Sequence, residues 1–251
     1  MQYGSQAWGS KTAKNGFRNE NDVIDKFNSW ENDEESRRWL IIMDYNLDEI
    51  EYVKAIKISG HKTDIQVQVT IKLKSAIDTE NIQVKLVSNL KGFNQIDKRW
   101  VGKYVEMWHI PDDVAVLLRQ YTCELTPTKT DLRDLRRMFV NEFSKEEQQS
   151  LLHFLQNNRM LIVSDVLRGR GKFTAEWMLV AQKLPQHSRW ILRNINNVIN
   201  YFGNGDIIIT KRGNIKIGKI TMQRKGGDAG RETAKMLQFK INPAELFDIE
   251  S

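Results

Sequence analysis

The sequence predicts a single α/β domain over residues 1–251, with a mixed central β-sheet flanked by helices. Three observations support this fold class. Segments with helical apolar spacing alternate along the chain with short segments of β-type pattern. The chain contains four prolines and no Gly/Ser-rich stretch that would separate domains. Its 40% hydrophobic and 28% charged residues are typical of a globular protein.

The first third of the chain carries two predicted helices followed by three strands. Apolar spacing predicts helices over 17–30 and 34–45, and a strand over 53–59. Apolar and polar residues then alternate over 64–73 and again over 81–87, which is the pattern of half-buried strands. Gln83 and Lys85 are two residues apart in the second of these strands, so they point to the same face of the sheet.

The predicted elements in the middle of the chain are mostly helices, and those near the C-terminus are mostly strands. The middle helices are predicted over 95–108, 112–121, 131–140 and 144–156, the last opened by a Ser144–Glu147 capping box. Strands are predicted at 160–164 and 190–192, residues 173–183 are ambiguous, and a short helix covers 195–202. Strands over 206–211 and 215–222, joined at Gly213-Asn214, predict a β-hairpin.

Asp64, Gln83 and Lys85 form the candidate chemical site. A carboxylate and an amide oxygen are hard ligands that suit Mg²⁺, with the Val84 carbonyl as a further donor. A neighbouring lysine can orient the attacking water and offset the charge of a phosphodiester. The spacing alone is a weak signal, because an exposed strand also carries Gln and Lys. A regular hairpin centred near residue 77 leaves Asp64 about 17 Å from Lys85, so a bend, a bulge or another register is required.

The positive charge of the chain is concentrated in one segment. The formal net charge is +6, and residues 211–240 contain nine Lys/Arg against Asp228 and Glu232, a net charge of +7. This concentration favours a polyanionic partner, with a solvated basic face as the alternative. The predicted hairpin belongs to this segment, and a two-stranded ribbon fits the DNA major groove.

Several other functional classes lack their sequence patterns. The single cysteine, Cys123, excludes an internal disulfide and a multi-cysteine zinc site. The chain has neither a Walker A motif nor a G-x-S-x-G elbow, and its four histidines are scattered. No apolar stretch is long enough to span a bilayer, and the N-terminus lacks a secretory pattern, so we expect a cytoplasmic protein without a membrane partner.

The chain resembles the PD-(D/E)xK nuclease superfamily, and more closely the type II restriction endonucleases that cut the palindrome GCGC. The resemblance runs almost from end to end. The strings that carry it are G-S-K-T-A-K at 9–14, N-I-Q-V-K-L-V-S-N at 81–89, K-G-F-N-Q-I-D-K at 91–98, L-R-G-R-G at 167–171, A-E-W at 175–177, W-I-L-R-N-I-N at 190–196 and Q-R-K-G-G-D at 223–228.

The resemblance implies a restriction-endonuclease-like domain with a catalytic core at about 17–110 and a basic DNA-reading segment at about 206–240. Asp64 and Gln83 then bind Mg²⁺, and Lys85 assists the attacking water. Gln83 departs from the acidic residue of the superfamily, and its neutral amide is a poorer ligand than a carboxylate. A carboxylate from elsewhere in the chain can compensate for this weaker ligand. Glu20 is the candidate, and the alternative is that Glu20 is only a solvated acid on a helix surface.

Candidate DNA contacts follow from donor and acceptor chemistry. Guanine and cytosine edges suit the donors and acceptors of the segment that contains Gln223, Arg224, Lys225 and Asp228. Phosphates suit Lys235, Lys240, Arg168 and Arg170, each with a surface charge as the alternative. Phe93 is either a core anchor or a wedge between base steps, and in the second case Asn94 and Gln95 reach base edges.

The expected activity is Mg²⁺-dependent hydrolysis of both strands of duplex DNA at a short palindrome, GCGC. A cognate methyltransferase that acts on the same site is expected in the same bacterial cytoplasm, without a stable complex. A palindromic site usually mirrors a protein two-fold, but the sequence shows no dimer interface, so a homodimer and a monomer both stay open. Two rival functions are a DNA-binding protein without catalysis and a structure-selective repair or junction nuclease of the same superfamily.

Overall fold

The structure is a computed structural model that describes residues 20–58, 66–88, 92–184, 187–227 and 231–249. The chain divides into two compact units, each assembled from segments that are distant in sequence. The first unit comprises Met1–Asn94, Arg168–Val198 and Asn242–Ser251, and the second comprises Gln95–Leu167 and Ile199–Ile241. The assignment of a single domain, with a catalytic core at about 17–110 and a DNA-reading segment at about 206–240, stays a prediction.

The first unit contains a five-stranded mixed sheet with the strand order β1-β2-β3-β5-β6. Strands β3 and β5 are parallel, and the other neighbouring pairs are antiparallel. The predicted mixed sheet is therefore confirmed, although two of its strands come from beyond residue 110. The strands are β1 (Ile50–Ile58), β2 (Gln66–Leu73), β3 (Ile77–Val87), β5 (Trp177–Lys183) and β6 (Ser188–Asn194).

Two helices, α1 (20–28) and α2 (Glu34–Ile42), pack with one face of this sheet. The predicted stripe of Val23, Phe27 and Trp30 is buried, in one cluster with the inward residues of β2. Helix α2 begins where Asp33 accepts the backbone N–H of Ser36 at 2.9 Å, an N-cap that satisfies one exposed helix donor. Burial of this apolar face fixes which residues of each strand point away from the helices.

The register of β2 and β3 corrects the expectation from the sequence. The strands join through a turn at residues 73–76, where Leu73 N–H donates to the Ala76 carbonyl at 2.8 Å. Gln66 therefore lies opposite Gln83, whereas a hairpin centred near residue 77 pairs residue 66 with residue 88. The turn closes before residue 77, because β3 already begins at Ile77 and pairs there with Lys72. The register therefore differs from that of a regular hairpin centred near residue 77, and Asp64 lies outside the described residues.

A second sheet has the strand order β4-β10-β9-β8-β7. Its strands are β4 (Asn94–Arg99), β7 (Ile207–Ile209), β8 (Ile215–Ile217), β9 (Ile220–Arg224) and β10 (Leu237–Ile241). The remaining helices are α3 (Val101–Trp108), α4 (Asp112–Thr122), α5 (Lys145–Asn157), α6 (Arg159–Arg168) and α7 (Ile195–Gly203). Tyr104, Trp108 and Phe239 pack their rings together between α3 and β10, with centroids 4.5–5.8 Å apart. Within the described ranges, no helix combines the length and apolar character needed to cross a membrane.

Three predicted elements are wrong. Residues 94–99 form a strand rather than a helix, because they join the edge of the second sheet beside β10. Residues 160–164 belong to helix α6, whose buried positions follow helical spacing, so its β-branched residues do not indicate a strand. Residues 131–140 are irregular, and Arg133 and Arg137 each stack on the ring of Phe139 instead of forming helical neighbours.

The predicted C-terminal hairpin is confirmed. Strands β7 and β8 pair antiparallel around the turn that contains Gly213 and Asn214. The run predicted as one strand over 215–222 divides into β8 and β9. Gly218 lies between them with φ +57°, and a side chain there meets the carbonyl oxygens of Asn204 and Phe202, so the chain turns at this glycine.

Candidate active site on the mixed sheet

Gln83 and Lys85 lie side by side on β3, on the sheet face that points away from α1 and α2. Both side chains are only 5% exposed, although both are polar. Val84, between them, packs on the opposite face with the apolar core, as the sequence predicted. This geometry leaves an amide and an amine buried together, next to the backbone carbonyl of Val84. A buried pair of this kind requires polar partners or a ligand.

Neighbouring strands define the surroundings of these two side chains. Gln83 lies opposite Gln66 of β2 and beside Met178 of β5, and Lys85 lies beside Val180 of β5. Asp64, the predicted acidic residue, lies outside the described residues. In the sequence it stands two residues before Gln66, the first residue of β2.

Glu20, the candidate compensating carboxylate, is buried at the start of α1, where it forms an ion pair with Lys57 at 2.8 Å. Lys57 is paired with Val67 in the register, and Val67 with Ile82, so Lys57 shares the helix-covered face. Gln83 and Lys85 point to the other face. The ion pair therefore holds Glu20 on the helix side of the sheet, and a metal-binding role for Glu20 stays a prediction.

A polar network beside Gln83 was missed in the sequence. Asn81, on the same face as Gln83, accepts a hydrogen bond from Gln68 at 3.1 Å. Its backbone N–H donates to the Glu176 carboxyl at 2.8 Å, and its carbonyl accepts the Glu176 N–H at 2.9 Å. Glu176 stands in the string A-E-W at 175–177, which carried the resemblance but indicated no role for this residue.

Glu80 and Glu176 form a carboxyl pair beside this network. Glu80 accepts hydrogen bonds from Tyr45 Oη and Trp177 Nε1, both at 2.8 Å. Burial raises the pKa of Glu176, and the charge of Glu80 and a hydrogen bond to it add to this effect, whereas the Asn81 N–H and the charge of Arg168 lower the pKa. Burial and the hydrogen bond to Glu80 also raise the pKa of Tyr45, so its hydroxyl stays protonated.

The donors around Gln83 fit a hard divalent cation. The amide oxygen of Gln83 and the carbonyl of Val84 are oxygen ligands of the kind that Mg²⁺ prefers. The described residues hold no group of three or more His, Cys, Asp or Glu that could bind a metal ion. Asp64, which lies outside the described ranges, is the sequence candidate for the carboxylate of this site.

The loop that follows β3 presents Phe93 to solvent. Its side chain is 56% exposed, which contradicts the core-anchor alternative for this residue. Asn94 and Gln95 are the first two residues of β4 rather than part of a helix, and Asn94 Nδ2 donates to the Gly92 carbonyl at 3.3 Å. An exposed phenyl group next to two amides is the arrangement that the wedge hypothesis requires.

The candidate DNA-reading segment is split between two faces of the second sheet. Thr221, Gln223, Gln238 and Lys240 share one face of strands β9 and β10. Arg224 points to the other face, where its Nε donates to the Thr122 carbonyl at 3.1 Å. The structure therefore does not bring Gln223 and Arg224 together on one face. Gln238, which the sequence analysis did not select, contacts the Lys225 carbonyl at 3.4 Å.

The other predicted DNA contacts differ in their surroundings. Lys225 follows β9 directly and leads into Gly226 and Gly227, which both have positive φ. Lys235 forms an ion pair with Glu232 at 2.8 Å, and burial lowers the pKa of Lys240. Arg168 ends α6 and is half-buried, Arg170 is exposed in the following loop, and Asp228 lies outside the described residues.

Comparisons with known proteins agree with this fold. The family model described as "R.HinP1I restriction endonuclease" matches residues 43–247, most of the chain. A crystal structure of the restriction endonuclease MspI in complex with its cognate DNA matches with a TM-score of 0.60 and 16% identity, over 88% of this chain and 87% of that chain. This likeness shows a shared fold. No curated protein sequence matches the chain at a significant level.

Proposed function

The chain belongs to the R.HinP1I restriction endonuclease family and is a type II restriction endonuclease, and on this premise we propose a specific reaction and site. The reaction is Mg²⁺-dependent hydrolysis of both strands of duplex DNA at a short palindrome, for which GCGC is the specific candidate. The proposed catalytic residues are Asp64, Gln83 and Lys85.

The observation that carries this proposal is the placement of Gln83 and Lys85 on one buried face of a mixed sheet. Strand β2 enters opposite Gln83 at Gln66, and Asp64 precedes Gln66 by two residues. Because Asp64 stands only two residues before Gln66 in the sequence, we take it as the acidic partner of Gln83 and Lys85 in this site.

Each residue has a defined task in this proposal. Asp64 and the Gln83 amide oxygen would hold Mg²⁺, with the Val84 carbonyl as a third donor. The bound ion supplies Lewis-acid stabilisation of the charge that develops on the phosphate. Lys85 orients the attacking water and neutralises the phosphate oxygen that lies nearest to its ammonium group. Burial of Lys85 strengthens this interaction, because the surrounding protein screens charge less than water does.

Recognition is assigned to the residues with suitable donors and acceptors. Gln223, Arg224, Lys225 and Asp228 contact base edges, and Arg168, Arg170, Lys235 and Lys240 contact phosphates. Phe93 enters the base stack and bends the duplex, with Asn94 and Gln95 at the adjacent base edges. The exposure of Phe93 and of Arg170 supports these assignments most directly.

The biological setting belongs to the same proposal. The protein acts in the bacterial cytoplasm, and a separate methyltransferase protects the same sequence without forming a stable complex with it. A homodimer matches the two-fold symmetry of a palindrome, and a monomer that cuts one strand in each binding event gives the same final product.

Digestion of plasmid DNA with Mg²⁺, followed by sequencing of the ends, tests the proposal. We expect discrete fragments with every end at GCGC, and loss of cleavage in Lys85→Ala with DNA binding retained. Fragments that end at another palindrome contradict the GCGC assignment and leave the chemistry intact. Cleavage of branched DNA without a discrete pattern on linear duplex supports the structure-selective nuclease instead. Full activity in Lys85→Ala contradicts the site.

A further inference from the structure

We propose that Glu176 is a positioning residue for the Gln83–Lys85 site, because its carboxyl group fixes the backbone of β3 directly ahead of Gln83. The inference rests on the proposed function and adds a residue that neither the motif nor the resemblance assigns. Glu176 directly precedes β5, the strand that runs parallel to β3 and flanks Gln83.

Glu176 forms two hydrogen bonds with the backbone of Asn81. The Asn81 N–H donates to Glu176 Oε2 at 2.8 Å, and the Asn81 carbonyl accepts the Glu176 N–H at 2.9 Å. The regular pairing of β3 and β5 begins at the next residues, Ile82 and Trp177. Gln68 of β2 holds the Asn81 side chain at 3.1 Å. Three strands are therefore joined at residue 81.

The hydrogen bonds at residue 81 fix the position of Gln83 along β3. Asn81 and Gln83 point to the same face and are separated by about 6.6 Å along the strand. Lys85 follows at the same spacing. A shift of the backbone at residue 81 therefore displaces the Gln83 amide and the Lys85 amine together. A misplacement of about 1 Å is enough to lower the rate when reacting groups must meet in a fixed geometry.

The proposed role of Glu176 requires an acceptor for the Asn81 N–H rather than a negative charge. The neighbouring Glu80 carboxyl receives hydrogen bonds from Tyr45 and Trp177. Burial raises the pKa of Glu176, the Asn81 N–H lowers it, the charge of Glu80 and a hydrogen bond to it raise it, and the charge of Arg168 lowers it. Glutamine at this position keeps an oxygen that can accept from the Asn81 N–H.

This chemistry separates positioning from metal binding. A positioning role tolerates Glu176→Gln, because the amide oxygen can still accept from the Asn81 N–H, but not Glu176→Ala. If Glu176 were a metal ligand, Glu176→Gln would also lose activity, because an amide binds Mg²⁺ less well than a carboxylate. Loss of a residue that orients the ligands of a metal site typically lowers activity or metal affinity about 10- to 100-fold.

The experiment compares four proteins: wild type, Glu176→Ala, Glu176→Gln and the control Glu51→Ala. Glu51 is an exposed carboxylate on edge strand β1 of the same sheet, paired with Lys72. Single-turnover cleavage at saturating Mg²⁺ and DNA measures the chemical step, and titration with Mg²⁺ gives the half-saturating concentration. Hydrogen exchange of the peptide over 81–85 measures the anchoring of β3 without cleavage. DNA affinity in Ca²⁺ and the melting temperature show whether each variant still binds DNA and still folds.

We expect Glu176→Ala to cleave about 10- to 100-fold more slowly and to exchange faster over 81–85. Glu176→Gln and Glu51→Ala should match wild type in rate and in exchange. Equal loss of rate in Glu176→Gln and Glu176→Ala overturns the proposal, as does a wild-type rate in Glu176→Ala. If Glu176→Ala does not fold, the Gln variant decides alone, since a slow Gln variant contradicts positioning. If wild type leaves DNA intact, the proposed function fails while the exchange comparison still tests the anchoring.

Discussion

Replacement of Phe93 by alanine should separate function from folding more clearly than any other single change. Phe93 is 56% exposed at the loop between β3 and β4, whereas Phe27 of α1 is fully buried in the core of the same unit. The two phenylalanines lose the same atoms on truncation. Their different surroundings predict opposite effects on stability and on DNA cleavage.

The exposure values set the size of the two stability effects. Truncation of a buried phenylalanine costs about 3–5 kcal/mol of unfolding free energy, because it removes apolar burial and leaves a cavity. A surface position usually changes the unfolding free energy by less than about 0.5 kcal/mol. For a chain of this length, 1 kcal/mol shifts the melting temperature by about 2–4 °C. Phe27→Ala should therefore melt at least about 6 °C below wild type, and Phe93→Ala within about 2 °C of it.

The effect of Phe93→Ala on DNA should be larger than its effect on folding. An aromatic side chain stacked on a base contributes about 1–3 kcal/mol, which corresponds to about 5- to 150-fold in affinity. Thermal melting followed by circular dichroism gives the stability of both variants. Fluorescence energy transfer between the ends of a labelled duplex in Ca²⁺ measures bending, and single-turnover cleavage in Mg²⁺ gives the rate.

A melting temperature for Phe93→Ala as low as that of Phe27→Ala refutes the argument from exposure. Wild-type bending and cleavage in a stable Phe93→Ala protein refute the wedge role. Loss of bending and cleavage at nearly unchanged stability supports both.

Three further predictions concern other parts of the chain. Ser144→Ala removes the acceptor of the Glu147 N–H at the start of α5 and should cost about 1 kcal/mol in chemical denaturation, with Ser144→Thr as the control that keeps a cap. Burial raises the pKa of Asp33, but its interactions with Lys26 and the Ser36 N–H outweigh burial and lower the pKa below 3.8. Ionised Asp33 therefore stabilises the folded protein above pH 3.8, and this stabilisation is lost as the pH falls through the lower folded pKa. Asp33→Asn should therefore lose less stability than wild type between about pH 5 and pH 3, and equal losses contradict this origin. Lys240→Gln should reduce the slope of log affinity against log salt by about 0.9 if Lys240 binds one phosphate, whereas the control Lys103→Gln should not change it.

Alternation in the sequence was sufficient to predict the core of the mixed sheet. The period of two in β2 and β3 predicted correctly that Gln83 and Lys85 share a face and that Val84 enters the core. Helix α5 was predicted to within one residue at each end, because Ser144 and Glu147 form a local capping box that depends on no distant contact.

The failures arise where distant residues decide the local structure. Residues 94–99 became a strand because β10, more than a hundred residues away in sequence, pairs beside them. The register of β2 and β3 depends on where the turn closes, and the alternating pattern within each strand does not show this. Glu176 was missed for the same reason, because its partner Asn81 is brought to it only by the parallel pairing of β3 and β5.

The most direct test of the proposed site is a crystal structure of the protein with a GCGC duplex and Ca²⁺, which replaces Mg²⁺ and stops the reaction before cleavage. We predict a calcium ion about 2.3–2.6 Å from a carboxylate oxygen of Asp64 and from the Gln83 amide oxygen, with the Lys85 ammonium beside the scissile phosphate. A calcium ion held by other residues, or a phosphate bound far from Lys85, contradicts the assignment of Asp64, Gln83 and Lys85 as the catalytic residues.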